Sequence, residues 1–372
     1  MNNKKVLINI FRNIRYSFFK LLYGRINSII IAKKNKKITI ENIFFRDQIS
    51  YKLYSISNGR LYTNTVNDTA FILNKFLIKG PSFQYRINKK SLIINGHTHE
   101  NFVIKNGTPN LVKKFKGTVF SLLTGGAGKN NYWHWLFDVL PRTGILNKSN
   151  FKLKPDYYLA PSLSKKYQNQ SLAELKIQAH SLIDGEKNKH ISCNNLITVD
   201  HPVNFNNDPS KSIQNIPIWI IKWLREKYIK NSYKNSNIYK KIFINRELDS
   251  NLSVRKITNN KEVKNLLIKL GFKIVTLSNY SFKEQVRLFN NAKFIIGLHG
   301  GGFANLVFAR SGTKIIEIAS HDSGDVILNL AKKCNLNYKR IVEKNTLSSL
   351  KFQNSHINVN KNKLRELILS FR

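Results

Sequence analysis

The sequence predicts an α/β fold with a parallel sheet in its C-terminal part, and three observations indicate it. From about residue 131 onward, helical and strand-like segments alternate. The strand-like segments are short and apolar, as in "KFIIG" and "TKIIEI", and the helices between them carry their apolar side chains on one face. Repeated units of this length imply parallel strands joined by right-handed crossovers.

Length, charge and cysteine content limit the classes of protein. With 372 residues the chain is longer than a single core usually grows, so two domains are expected. Its net charge of +41 favours anionic partners, but the lysines are scattered along the chain and do not choose among phosphates, lipid and nucleic acid. Cys193 and Cys334 show no C-x-x-C spacing, which indicates neither a disulfide framework nor a zinc site and fits a reducing cytoplasm.

Three segments are predicted, at residues 1–35, 36–235 and 236–372. The first is basic and amphipathic, and its basic residues interrupt the apolar runs too soon for a signal peptide or a spanning helix. It either lies on an anionic membrane or packs on its own domain. The second is an α/β domain that begins with short strands, and the third is Rossmann-like. The apolar positions at helical spacing in the first segment are Ile10, Ile14, Phe18, Leu21 and Leu22.

The elements of the third segment carry individual signals. "NKEVKNLLIKLGF" predicts a helix with Val263 and Leu267 on one face and Gly271 at its end. Ser281 and Glu284 have capping-box spacing at the start of "SFKEQVRLFNNA". The strand "KFIIG", a glycine loop, a short helix and the strand "TKIIEI" follow. The polar stretch 231–237 is the predicted linker ahead of these elements.

The glycine loop "LHGGGFAN" follows a buried strand, and ligands bind at this edge of open α/β sheets. Gly300, Gly301 and Gly302 allow backbone N–H groups to approach a phosphate at the start of a helix. A tight turn explains one glycine well but three in a row poorly. The loop matches neither the NTPase nor the dinucleotide pattern. We therefore expect a phosphate site.

Three charged residues lie near the same edge. Glu317, at the end of the next predicted strand, can accept hydrogen bonds from both hydroxyls of a ribose, although a surface glutamate would fit equally well. Arg246 ends the strand "YKKIFINR", and Arg255 follows nine residues later. Arginines in these places can clamp a diphosphate leaving group.

The stretch "NNYWHWLFDVLPR" contains a second candidate site. His134 and Asp138 are four residues apart and share one face of a helix, so Asp138 can orient the imidazole of a general base. A hydrogen-bonded core histidine between two tryptophans is the alternative. No D-x-D pair occurs, which argues against a metal-bridged nucleotide sugar, so neither metal nor cofactor is expected.

These motifs and their order, from about residue 117 to 345, resemble the glycosyltransferase 61 family, which is often found in bacterial polysaccharide gene clusters. The resemblance implies a GT-B-like fold of two Rossmann-type domains facing a cleft, inverting chemistry and a nucleotide-sugar donor. It also implies roles for single residues. Glu317 would bind the ribose of the donor, Arg246 and Arg255 would neutralise the phosphate charge, and His134 and Asp138 would face the cleft from the other domain. The residues that would hold the donor diphosphate are His299, Gly300, Gly301, Gly302 and Asn305.

The hypothesis is a cytoplasmic glycosyltransferase, peripheral on the inner face of the cell membrane. It would move a hexosyl or pentosyl group from a nucleotide sugar to a hydroxyl of a surface polysaccharide or a lipid-linked glycan. Two alternatives stay open. A nucleic-acid-binding protein would account for the charge, but no nucleic-acid-binding motif is present. A catalytically silent scaffold would retain only the fold.

Overall fold

The computed structural model describes residues 2–46, 48–65, 67–87, 93–124, 128–151, 154–203, 212–229, 239–246, 255–344 and 356–371, without the side chains of residues 2–4. The chain divides into two compact units, Met1–Ile213 and Gln214–Arg372. The predicted linker 231–237 lies outside the described residues. The division precedes it because the helix Ile218–Tyr228 packs within the second unit, where Arg225 donates hydrogen bonds to the carbonyl oxygens of Val307 (2.7 Å) and Ala309 (2.6 Å).

The first unit combines helices with one large mixed sheet. Its helices are α1 Asn2–Tyr23, α2 Phe102–Asn106, α3 Tyr132–His134, α4 Pro141–Lys148 and α5 Lys166–Glu174, and the π-helical segment Trp135–Val139 joins α3 to α4. Its strands are β1 Ser28–Ile31, β2 Ile38–Phe44, β3 Ser50–Ser57, β4 Arg60–Thr65, β5 Asp68–Leu73, β6 Phe76–Lys79, β7 Phe83–Ile87, β8 Ile93–Asn95, β9 Lys113–Ser121, β10 Tyr157–Ala160, β11 Leu182–Asp184 and β12 His190–Val199.

Strand β12 joins the two halves of this sheet. It pairs antiparallel with β3 and β4 and parallel with β9, which continues in parallel through β10 to β11. Strand β2 pairs antiparallel with β3, and β4 pairs antiparallel with β5, as strands joined by a short connection do. The α/β prediction is confirmed by the parallel strands, but the first half of this sheet differs from the all-parallel sheet of a Rossmann-type domain. The GT-B arrangement stays a prediction.

The second unit has a parallel sheet with helices between its strands. The helices are α6 Ile218–Tyr228, α7 Asn260–Lys269, α8 Phe282–Asn291, α9 Val326–Lys333 and α10 Lys361–Leu369, with a 3₁₀ helix at Gly301–Phe308. The strands are β13 Lys241–Ile244, β14 Lys273–Val275, β15 Phe294–Leu298, β16 Lys314–Ser320 and β17 Asn337–Glu343. They lie in the order β14-β13-β15-β16-β17, and every neighbouring pair is parallel.

The local predictions for this unit are confirmed. Val263 and Leu267 are buried on the inner face of α7, and Gly271 ends that helix with a φ of +80°. The capping box of Ser281 and Glu284 opens α8. Strand β15 is buried along its whole length, as central parallel strands are. The strand order reverses between β13 and β15, and the loops that leave this point diverge to make room for a ligand.

Candidate active site

The loop after β15 is built around the side chain of Arg246, which follows β13. Arg246 Nη1 donates a hydrogen bond to the carbonyl oxygen of His299 at 2.9 Å. A Cβ atom at Gly300 would collide with this guanidinium, so the glycine makes room for the arginine. The 3₁₀ helix begins where Phe303 N donates to the Gly300 carbonyl. The switch point thus brings together Arg246 and the glycine loop, as the sequence predicted from separate motifs.

Asn305 and Gly302 form the inner side of this loop. The Asn305 side chain is fully buried and donates to Gln285 Oε1 (3.1 Å) and to the carbonyl oxygen of Gly302 (3.3 Å). A Cβ atom at Gly302 would lie 3.0 Å from Leu277 Cδ1, so close packing requires a small residue there. Asn305 therefore holds the loop in shape, and its predicted contact with a diphosphate stays a prediction.

Glu317 is fully buried and bonded through both of its oxygens. Oε1 contacts His299 Nδ1, and Oε2 accepts from the Tyr338 hydroxyl and from Arg340 Nε at 3.0 Å. Burial and the adjacent Glu317 carboxylate raise the pKa of Tyr338, which keeps its hydroxyl protonated as a donor. Strand β16 extends beyond Glu317 to Ser320, so the carboxylate lies inside the sheet rather than at its edge. The predicted ribose contact stays a prediction, and in this arrangement Glu317 orients His299.

Arg255 is buried with part of its guanidinium unsatisfied by the residues that the structure describes. Its side chain is 2% exposed, and only Nη1 has a partner, Ser323 Oγ at 2.9 Å. Nε and Nη2 are buried without a hydrogen-bond partner among the described residues. Burial lowers the pKa of Arg255 to about 10, and the positive charge of Arg246 acts in the same direction. A buried arginine with two N–H groups that no described residue accepts, near the charge of a second arginine, is the expected signature of an anion site.

A cavity of about 270 Å³ lies at the end of β13 beside Arg246. Lys256 and Lys261 add two further cations to its wall, and no carboxylate is among its described lining residues. The rest of its wall combines polar and apolar residues, which are Asn245, Thr258, Asn260, Phe243, Ile244, Ile257 and Leu298. The composition suits a ligand that carries both phosphate and an apolar or aromatic part.

In the first unit, His134 and Asp138 are in contact as their spacing predicts. Asn131 caps α3 by accepting from Trp133 N at 2.9 Å, and the π-helical segment follows. His134 Nδ1 lies 2.6 Å from Asp138 Oδ2. Because a carboxylate only accepts, Nδ1 carries the hydrogen and Nε2 is left as the atom that can take a proton. The His134 side chain is 23% exposed, whereas Asp138 is buried.

His201 and Arg142 complete this cluster and were missed from the sequence. His201 Nε2 lies 3.8 Å from Asp138 Oδ2, and burial lowers the pKa of His201 to about 4. Arg142 is buried and donates to Thr198 Oγ1 at 2.5 Å. His201 lies two residues beyond the end of β12, and this position after a buried strand is its only signal in the sequence. Arg142 stands at the end of the quoted motif, one helical turn beyond Asp138.

His201 and Arg142 also line a cavity of about 240 Å³ within the first unit. Its wall includes the aromatic side chains of Tyr51, Phe83 and Tyr85. Asn95, Thr124 and Asp200 contribute polar groups. Aromatic faces together with convergent hydrogen-bonding groups are suited to a polar, ring-shaped ligand.

Within the described ranges, no three His, Cys, Asp or Glu side chains are grouped so that they could hold a metal ion. The expectation that the reaction needs no metal stays a prediction. In the second unit the structure brings together arginines, lysines and a glycine loop, which are groups suited to binding anions. In the first unit it forms a histidine–aspartate pair, which is suited to moving protons.

A site lined by cations at the switch point of a parallel sheet suits an anionic ligand, and a partly exposed histidine–aspartate pair suits proton transfer. Residues 132–316 match the family model Glycosyltransferase 61. Through this segment the chain belongs to the glycosyltransferase 61 family, which confirms the resemblance, and it is therefore a glycosyltransferase. The segment contains every predicted site residue except Glu317. Among curated proteins, none matches the chain.

Proposed function

We propose that this glycosyltransferase acts with inversion on a nucleotide-sugar donor whose diphosphate binds the second unit. The observation that carries the proposal is Arg255, which is buried with two N–H groups that no described residue accepts. Burying such a group is unfavourable unless an anion meets it. A diphosphate supplies several oxygens for Arg255 and Arg246, and the adjacent cavity offers space and two lysines for the rest of the nucleotide.

The same groups would stabilise the leaving group. As the bond between the anomeric carbon and the diphosphate oxygen breaks, negative charge grows on that oxygen. Fixed arginine N–H groups and the first N–H groups of the 3₁₀ helix Gly301–Phe308 oppose this charge without reorganising. We propose no metal in this step, because the cations of the protein provide the positive charge.

His134 is the proposed base. Its Nε2 accepts the proton of an acceptor hydroxyl while that oxygen forms a bond to the anomeric carbon opposite the leaving diphosphate. Asp138 keeps the proton of the ring on Nδ1 and stabilises the imidazolium that forms. The cavity beside His201 is the proposed place for the acceptor sugar, which belongs to a surface polysaccharide or a lipid-linked glycan.

Calorimetric titration with UDP, GDP, CMP, dTDP and ADP tests the donor site. One nucleotide is expected to bind, and Arg255→Met is expected to weaken that binding at least tenfold, by about 1.4 kcal/mol or more. The apo protein should lose little stability on this change, because two of the N–H groups that it removes are buried without a partner among the described residues. Arg365→Met, at an exposed position of the same unit, is the matched control and should bind normally.

The nucleic-acid alternative makes the opposite prediction. It requires that no nucleotide bind measurably, while DNA binds with an affinity that falls steeply as salt rises. A nucleotide that binds wild type and Arg255→Met equally would also contradict the proposed site.

A further inference from the structure

Helix α1 presents a continuous apolar face to solvent. Its exposed large apolar residues include Phe11 at 69% and Leu21 at 88%. At 3.6 residues per turn these residues cover an arc of roughly 160° on one side of the helix. An exposed apolar surface of this extent marks an interaction site. The residues of the arc are Val6, Leu7, Ile10, Phe11, Ile14, Phe18, Leu21 and Leu22.

The opposite side of α1 is attached to the first unit. Arg15 Nε donates to the carbonyl oxygen of Pro109 at 2.9 Å, and the ring of Tyr16 packs edge-on against Phe102. Tyr23 accepts from Val112 N at 3.0 Å and stacks edge-on with His190. These contacts leave the apolar arc facing outward, because the side of the helix that packs on the first unit is the one that carries Arg15, Tyr16 and Tyr23.

The charge around the arc is uniformly positive. The first 40 residues contain ten lysines and arginines and no acidic residue. At 3.6 residues per turn, Arg15 and Lys20 lie just beyond the two edges of the arc, whereas the exposed Lys5 and Arg12 lie on the side opposite it. No described helix is both long enough and apolar enough to cross a bilayer. An apolar arc with basic flanks complements a surface that is apolar below and anionic above.

We propose that α1 binds in the plane of an anionic lipid surface. The apolar arc enters the boundary between headgroups and acyl chains, and the basic flanks meet the lipid phosphates. A second copy of the chain is a poorer occupant, because symmetric pairing of two such arcs would bring their basic flanks together without acidic partners. The inference stands on α1 alone and is independent of the donor site.

Vesicle flotation tests this proposal with a pair of matched variants. Ile14→Ser/Phe18→Ser removes two residues of the arc. Phe44→Ser/Ile87→Ser removes two equally exposed apolar residues elsewhere in the first unit. The probes are phosphatidylcholine vesicles with and without about 30% phosphatidylglycerol.

We expect wild type to bind the anionic vesicles at least tenfold more tightly than the neutral ones. The arc variant should lose about tenfold or more, and the control should stay within about twofold of wild type.

Equal binding of wild type and the arc variant to anionic vesicles would overturn the proposal, because the overall charge would then suffice. A wild-type dimer that dissociates in the arc variant, with no flotation of either, would assign the arc to a second copy instead. Sedimentation velocity separates these results. Nucleotide titration of the arc variant checks its folding and keeps a failure here distinct from a failure of the proposed function.

Discussion

The two units each contain a histidine bonded through Nδ1 to a carboxylate, but the surroundings of the two pairs differ. In the first unit the His134 side chain is 23% exposed, and Asp138 Oδ1 has no partner among the described residues. In the second unit the His299 side chain is 7% exposed, and both oxygens of Glu317 are engaged by protein groups. The first pair is exposed enough to exchange a proton with a ligand. In the second pair, Tyr338 and Arg340 already donate hydrogen bonds to the Glu317 carboxylate.

The difference shows that residue types alone do not assign a role. A histidine–carboxylate pair serves acid–base chemistry only if one ring nitrogen reaches substrate and the carboxylate can respond to the new charge. A pair with every oxygen bonded instead fixes a backbone segment. His299 begins the glycine loop, and its carbonyl oxygen accepts a hydrogen bond from Arg246, so Glu317 supports the loop of the proposed anion site through His299.

The largest effect is expected from removing the exposed histidine. His134→Ala should lower kcat by about a thousandfold, since a positioned general base contributes roughly 10² to 10⁴. Nucleotide affinity should stay within about twofold, because the donor groups belong to the other unit. The measurement is sugar transfer at saturating donor, with calorimetry of nucleotide binding beside it.

The control for this prediction is His180→Ala, at an exposed histidine of the same unit. It should retain the wild-type rate. If His134→Ala transfers sugar at the wild-type rate, His134 is not the general base, and the difference in exposure between the two pairs does not assign their roles. If no transfer is detected in wild type while nucleotide binds, the silent-scaffold alternative is favoured.

The second prediction contrasts the two carboxylates. Glu317→Gln should lower the free energy of unfolding by about 3 kcal/mol, because it leaves Arg340 without its buried counter-charge. Asp138→Asn should lower it by only about 1 kcal/mol but should reduce kcat about a hundredfold. Urea unfolding and turnover of both variants give the comparison.

Glu366→Gln, at an exposed position of the second unit, controls for the loss of one negative charge. Its unfolding free energy should not change. If Glu317→Gln instead has normal stability and binds nucleotide more weakly, the result would support the prediction from the sequence that Glu317 contacts the ribose.

A smaller effect is expected from pH. The pKa of His201 is lowered to about 4 by burial, so the unfolded chain takes up this proton at a higher pH than the folded chain. The folded state should therefore lose stability as pH falls from about 6.5 to about 4, by about 1–3 kcal/mol from this residue. His201→Gln should show a shallower loss in urea unfolding between these pH values. A slope equal to that of wild type would contradict the burial of a neutral His201.

Much of the second unit is predictable because its signals are local. The capping box of Ser281, the glycine that ends α7 and the buried strand β15 each depend on a few consecutive residues. The His134–Asp138 contact is also local, since it lies within one stretch of helix. The antiparallel half of the first sheet was less predictable, because its strands show little alternation.

The partners of Glu317 could not be found from the sequence. Arg340 faces Glu317 across the β16–β17 pair, and this register depends on how the two strands align. His201 approaches Asp138 from the end of β12, which is distant in sequence. Glu317 itself was placed at a sheet edge because the length of β16 was underestimated.

The most direct test of the central claim is a crystal structure with the nucleoside diphosphate that calorimetry selects. The account predicts diphosphate oxygens within hydrogen-bond distance of Arg255 Nε and Nη2 and of Arg246, and a nucleoside in the cavity lined by Lys256 and Lys261. A diphosphate bound elsewhere, with the N–H groups of Arg255 still unpartnered, would contradict it.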